Sequence, residues 1–177
     1  KELDHATLTN KIEYTAFTAE GDMIPVPFLT TGEFANPIAM AVFKDHYGTA
    51  VIDGDTVKYF KEGSLTATIT GLSNALSIST SDGGNIAVVT DNQIKHYNLI
   101  GNEFHYNNTL SVTTGLIRPT CVAMRPGSYD KLIIDGDKIN YYMWTGSSLE
   151  LNPVLSKTVT GLQSMGKYMT SAYTESI

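Results

Sequence analysis

Asp-Gly-Asp occurs twice, at Asp53-Gly54-Asp55 and Asp135-Gly136-Asp137, each time between two apolar runs: TAVIDGDTVKYF (49–60) and KLIIDGDKINYYMW (131–144). Paired carboxylates around a glycine can supply oxygens to a calcium ion, or they can write a tight turn. A calcium loop of the EF-hand type needs oxygen ligands at about five or six set positions and a glutamate at its end. DGDTVKYFKEGS and DGDKINYYMWTG do not meet that pattern. Asp-Gly is favoured where a hairpin requires positive φ. The two stretches are therefore expected to be turns first. Asp53, Asp55, Asp91, Asp135 and Asp137 should still gather on one face, where they are weak candidates for contact with a basic partner or a cation.

The other reactive residue types are scattered. His5, His46, His96 and His105 show neither HExxH nor paired metal spacing. His96 stands where comparable stretches carry an aromatic residue, which points to packing. Cys121 is the one cysteine; it allows no internal disulfide and reads as a small buried side chain. SDGGN (81–85) lacks the GxxxxGK[ST] pattern of a phosphate loop. NNT (107–109) fits the asparagine-glycosylation pattern, which matters only in a secreted eukaryotic protein. Tyr47 and Tyr129 lie on equivalent loops and are weak candidates for an aromatic contact patch.

These residues are positioned by a repeat. NKIEYTAF (10–17), DTVKYFKE (55–62), NQIKHYNL (92–99) and DKINYYMW (137–144) share a β-branched anchor, at Ile12, Val57, Ile94 and Ile139, spaced 45, 37 and 45 residues apart. Tyr14, Tyr59, Tyr97 and Tyr141 read as recurring on one strand face. Thr-Gly recurs at 31–32, 70–71, 114–115 and 160–161, each time followed by an alternating segment such as NPIAMAVF, NALSIST or RPTCVAM. The segments between complete a unit of four short strands, with turn words between them. No stretch keeps helical spacing of apolar residues for three turns. A period near 40 with four strands per unit means an all-β array. On the first strand of each unit, small residues (Ala39, Ala41, Ser77, Ser79, Cys121, Ala123) alternate with large ones (Ile38, Met40, Leu76, Ile78, Val122, Met124). That suits strands crowded at an axis on one face and packed between units on the other.

This layout resembles the blades of β-propeller repeat proteins of the NHL and WD40 kind, and DGDKINYY is similar to hairpins of the hemopexin-type four-bladed propellers. The Trp-Asp dipeptide of WD40 blades is missing, and one cysteine cannot form the hemopexin closing disulfide. The resemblance implies an all-β, four-bladed β-propeller, or four consecutive blades of a larger one, in a single domain over 1–177. The units fall roughly at 1–31 plus 161–177, 32–70, 71–114 and 115–160. Residues 164–170 are expected to pair beside 5–17, so that the blade shared by the two termini closes the ring and hides both edges.

Fold alone does not fix function. The reading is a non-enzymatic binding or structural module whose loops engage a protein partner, because unequal units suit one asymmetric partner. The alternatives are a component of a secreted, surface or virion-associated assembly, and a fragment of a propeller hydrolase or lyase. Against an enzyme, the first strands offer Ala, Ser and Cys, which cannot carry acid–base chemistry at pH 7. No cofactor and no metal are expected, although an axial channel would leave room for an ion.

Composition narrows the partners. The chain of 177 residues has 12 Lys+Arg against 18 Asp+Glu, a net charge of −6, and only 17% charged residues. With no basic cluster to displace phosphate counterions, nucleic acid is disfavoured. No apolar run approaches the roughly 18 residues a membrane-spanning helix needs. The Ser/Thr/Asn-rich surface leans toward a secreted or cell-surface setting.

Overall fold

The computed structural model describes residues 12–17, 23–29, 34–43, 48–81 and 83–162, and for the first two segments only the backbone. Every regular element named among these residues is a β-strand. A hairpin of β1 (Ile12–Phe17) and β2 (Met23–Leu29) is followed by three larger antiparallel sheets. The first runs β3 (Pro37–Phe43), β4 (Gly48–Asp53), β5 (Thr56–Lys61), β6 (Ser64–Ile69). The second runs β7 (Ala75–Ser81), β8 (Asn85–Thr90), β9 (Gln93–Ile100), β10 (Glu103–Tyr106). The third runs β11 (Pro119–Met124), β12 (Lys131–Asp135), β13 (Lys138–Trp144), β14 (Leu149–Leu151), with β15 (Lys157–Thr158) also on β13. All-β architecture and the four-strand unit thus agree with the repeat. Each sheet is open, its strands in chain order. The pairing expected of 164–170 lies outside the described residues, as do His5, His46 and Tyr47.

The second strands are the most deeply placed. β4 and β8 are buried along their whole length, which is why they read as AVID and NIAVVT with no alternation. One core lies between the first and second sheets, around Ile52, Val57, Tyr59, Ile86 and Val88. Another lies between the second and third, around Ile94, Val122, Met124 and Ile133. The first strands β3, β7 and β11 are neighbours in that order. Small side chains permit the approach. Ser77 Oγ accepts from Val122 N at 3.4 Å, Ser79 Oγ accepts from Met124 N at 2.9 Å, and Thr80 Oγ1 donates to Val42 O at 2.8 Å. Cys121 is buried beside Ser77 Oγ, 3.6 Å away. The large face is buried on β7 and β11 at Ile78, Val122 and Met124, but Ile38, Met40 and Val42 of β3 are 40%, 49% and 58% exposed.

The longer spacing from Ile94 to Ile139, 45 residues against 37 from Val57 to Ile94, has a local cause. In the second and third sheets the fourth strand leaves the ladder through NNTLS (107–111) and NPVLS (152–156). In both, the serine hydroxyl accepts from a third-strand N–H, His96 N at 2.9 Å or Tyr141 N at 3.0 Å, and donates to the asparagine carbonyl at 2.7 Å. The chain then returns to the third strand, through the Ile94–Val112 bridge and through β15 on β13. In the first sheet β5 pairs with β6 as far as Ile69, with a single register shift. Asn107 Nδ2 donates to Asn98 Oδ1 at 2.9 Å and its Oδ1 accepts from Leu110 N at 3.1 Å. The NNT pattern therefore coincides with an asparagine engaged inside the fold.

Candidate functional site

Asp-Gly-Asp forms the turn between second and third strands. Asp53 pairs with Thr56 and Asp135 with Lys138 across the two-residue loops. Gly54 and Gly136 take φ of 58° and 63°. The second sheet differs from the expected alignment: Thr90 pairs with Gln93, so Thr90 occupies the place of Asp53 and Asp135. Asp91 stands instead at the glycine position, with φ 40°, a conformation aspartate tolerates better than most residues because its short polar side chain bonds locally.

The two leading aspartates turn inward. Asp53 Oδ1 accepts from Ala35 N at 3.0 Å and Asn36 N at 2.5 Å; Asp135 Oδ1 accepts from Ile117 N at 3.0 Å and Arg118 N at 2.5 Å. Both are buried, and in both units the following glycine N–H bonds the residue before the first strand, Asn36 O or Arg118 O. The carboxylate therefore ties the approach of each unit to its own central turn. Lys58 Nζ adds an ion pair to Asp53 at 2.7 Å while lying over the Phe34 ring. Burial alone would raise the Asp53 carboxyl, but the Lys58 and backbone N–H bonds outweigh it and hold it below the usual carboxylate range. Asp55 and Asp91 are exposed and Asp137 is half-buried. No group of three metal-ligating side chains that could hold an ion occurs among the described residues.

Gly54→Val should cost about 1–2 kcal/mol, since a β-branched residue is strained at positive φ. Open space surrounds the position, so sterics with neighbours add nothing. Thermal melts should show Gly54→Asn near wild type. An equal loss for Asn and Val would disprove the backbone explanation.

At the opposite ends of the strands, Tyr129 belongs to a denser group that the sequence reading largely missed. The loop 125–130 joins β11 to β12 and ends on Asp130, which is buried. Its carboxylate accepts from Trp144 N at 2.8 Å and from Tyr141 OH at 2.6 Å, with Arg125 Nη1 3.5 Å away. Burial would raise the Asp130 carboxyl, but these donors and Arg125 bring it below its ordinary value. Burial first, then the Asp130 hydrogen bond, raises the Tyr141 hydroxyl, despite an opposing hydrogen bond from Arg125.

Lys131 follows, 0% exposed, and donates to Tyr129 O at 2.9 Å. Burial pulls its ammonium down to about 7 against a smaller opposing pull from Asp130. Across the junction between the second and third sheets stands His96, also 0% exposed, with neither ring nitrogen hydrogen-bonded. Burial, then Lys131, lowers it to about 3, so the ring is neutral at pH 7. Tyr129 packs edge-on against His96 at 6.0 Å and against Trp144 at 5.7 Å.

The register shows what is unusual here. Lys131 stands on its second strand where the other sheets have Thr49 and Ile86, and His96 stands where they have Tyr59 and Tyr141. Gly48 is required by the buried Tyr59 ring, which lies in the space of a Cβ. Tyr97 aligns with Phe60 and Tyr142, one place from the expected match to Tyr59 and Tyr141. Units that share a backbone need the same side-chain types; the departures gather at this one junction, and a buried lysine and unpaired imidazole are costly departures.

No family model and no curated protein matches the chain. Solved structures do share its fold. A Lactobacillus plantarum protein is similar over 85% of this chain and 50% of its own, with TM-score 0.60 and 14% identity. A functionally unknown protein from Desulfotomaculum acetoxidans is similar over 79% of this chain and 47% of its own, with TM-score 0.56 and 14% identity. The chain thus spans about half the length of these structures, and the likeness is one of fold. They place it among β-rich proteins built of successive antiparallel sheets.

Proposed function

We propose that the chain is a β-propeller, or a portion of one, that serves as a non-enzymatic binding module for a protein partner. Three successive four-strand units with their first strands side by side support the propeller reading. The binding reading rests on one observation: Arg125, Tyr129 and Trp144 meet on the face of the first-to-second-strand loop of the third unit, braced from below by Asp130. Aromatic and arginine side chains on a rigid support are the types that dominate contact energies in interfaces. The acidic turn face is the lesser surface, since two of its five aspartates are spent inside the fold.

The test is partner capture from the source organism with wild type, Tyr129→Ala plus Trp144→Ala, and Asp55→Asn plus Asp137→Asn. The aromatic variant should lose at least tenfold in affinity for the captured protein, and the acidic-turn variant should keep it. Loss in the acidic-turn variant alone would move the surface to the other face and overturn the assignment.

A further inference from the structure

We infer that the junction between the second and third sheets is a binding site for a small organic carboxylate, held by Lys131 and His96 beneath Tyr129. This goes beyond the protein-partner reading and stands without it.

At the junction Lys131 is basic and fully buried, and the acidic side chain beside it is Asp130. Asp130 cannot be the counter-charge in full: its oxygens already accept from Trp144 N–H and Tyr141 OH, with Arg125 alongside. Lys131 Nζ meets Tyr129 O, a neutral carbonyl. His96 has both nitrogens unbonded in a fully buried position. Buried charges are ordinarily paired and buried polar groups ordinarily bonded. One planar anion with two acceptor oxygens answers both deficits, taking one bond from the ammonium and one from an imidazole N–H. Tyr129, half-buried on its loop and packed edge-on against His96 and Trp144, is the side chain that turns aside to admit it.

The lowered Lys131 adds a signature. A carboxylate favours the charged ammonium, so binding takes up a proton above about pH 7 and weakens as pH rises. The titratable groups around Lys131 are Asp130 beside it in the chain, Tyr142, its cross-strand partner on β13, and His96 of β9; Arg125 and Tyr141 contact Asp130 instead. Lys131, near 7, titrates between pH 6 and 8.5, while His96, lowered to about 3, stays neutral across that range.

The probe is acetate, against sodium chloride at equal ionic strength, read by thermal melting and by the ring resonances of isotope-labelled His96. Acetate should give a saturable rise in melting temperature and a saturable His96 shift at pH 6.5, with affinity at least tenfold weaker at pH 8.5. Lys131→Met should fold and lose both responses; His96→Phe, which restores an aromatic at this register, should also lose the saturable rise. Equal effects of chloride, no saturation by 200 mM acetate, or an unchanged response in Lys131→Met would each overturn the site.

Discussion

Lys131→Met should raise the melting temperature at pH 7 by roughly 5–10 °C. Lys131 is wholly buried, and burial brings its ammonium from the ordinary 10.5 to about 7. Between those values the unfolded chain holds a proton that the folded chain does not. Stability therefore rises with pH across that window, and the full penalty is present below it. At pH 7 the penalty is on the order of 2–4 kcal/mol once the bond to Tyr129 O is set against it. Methionine keeps the length of the side chain and removes the charge. Wild type should climb in stability from pH 7 to 9.5, and Lys131→Met should be flat there. The comparison stops short of pH 10, where the raised hydroxyls of Tyr59, Tyr97, Tyr141 and Tyr142 begin to favour the folded state less. A second climb, between pH 3 and 6.5, comes from His96, which the unfolded chain protonates and the folded chain does not. It should survive in Lys131→Met but begin at a higher pH, because the repulsion from Lys131 is gone. A destabilised or equally pH-dependent variant would show that Lys131 is not the buried charge described here.

What could be read from the chain was whatever the backbone repeats. Thr-Gly marks the connector between units because Gly71, Gly115 and Gly161 all take positive φ there, with 69°, 82° and 80°. The anchors Val57, Ile94 and Ile139 fall at equivalent third-strand positions, each set by the two-residue turn before it. One-residue errors arose where a turn residue was substituted by a chemically different one. Asp91 looks like a copy of Asp53 but does the work of Gly54, so the motif DGD and the motif TDN were matched out of step. The same slip put Tyr97 beside Tyr59. The NNTLS and NPVLS excursions stayed hidden because their common feature is a serine that bonds an N–H 15 residues earlier, a relation that no local pattern carries.

The candidate site was harder still. YDKL (129–132) reads as an ordinary polar turn entering a strand, and only tertiary packing buries Asp130 and Lys131. A signal did exist: Thr49, Ile86 and Lys131 share one register, as do Tyr59, His96 and Tyr141. A repeat protein reveals its special residues by exception, and exceptions become visible only after the register is correct.

Asp53→Ala and Asp135→Ala should each lose about 2–4 kcal/mol, whereas Asp55→Asn and Asp137→Asn should each change stability by less than about 0.5 kcal/mol. The four carboxylates belong to the same two tripeptides, so the contrast isolates position from composition. Removing Asp53 strands the Ala35 and Asn36 N–H groups and removes the 2.7 Å ion pair to Lys58. Removing Asp135 strands the Ile117 and Arg118 N–H groups. The two losses should add in the double variant, since the sites share no partner. Asp53 also contributes stability that is present above its unfolded value near 3.8 and fades as pH falls through its lowered folded value, so Asp53→Ala should be less acid-sensitive than wild type. A metal site would invert the pattern. Chelator would then lower the melting temperature, and Asp55 and Asp137 would matter as much as their partners. Geometry argues for the turn: backbone N–H donors point at the inner oxygens, and a cation there would face the positive ends of those dipoles. Melting curves of the four single variants and the double, with and without chelator, decide it. A chelator-dependent drop, or equal losses at all four aspartates, would return Asp-Gly-Asp to chemistry.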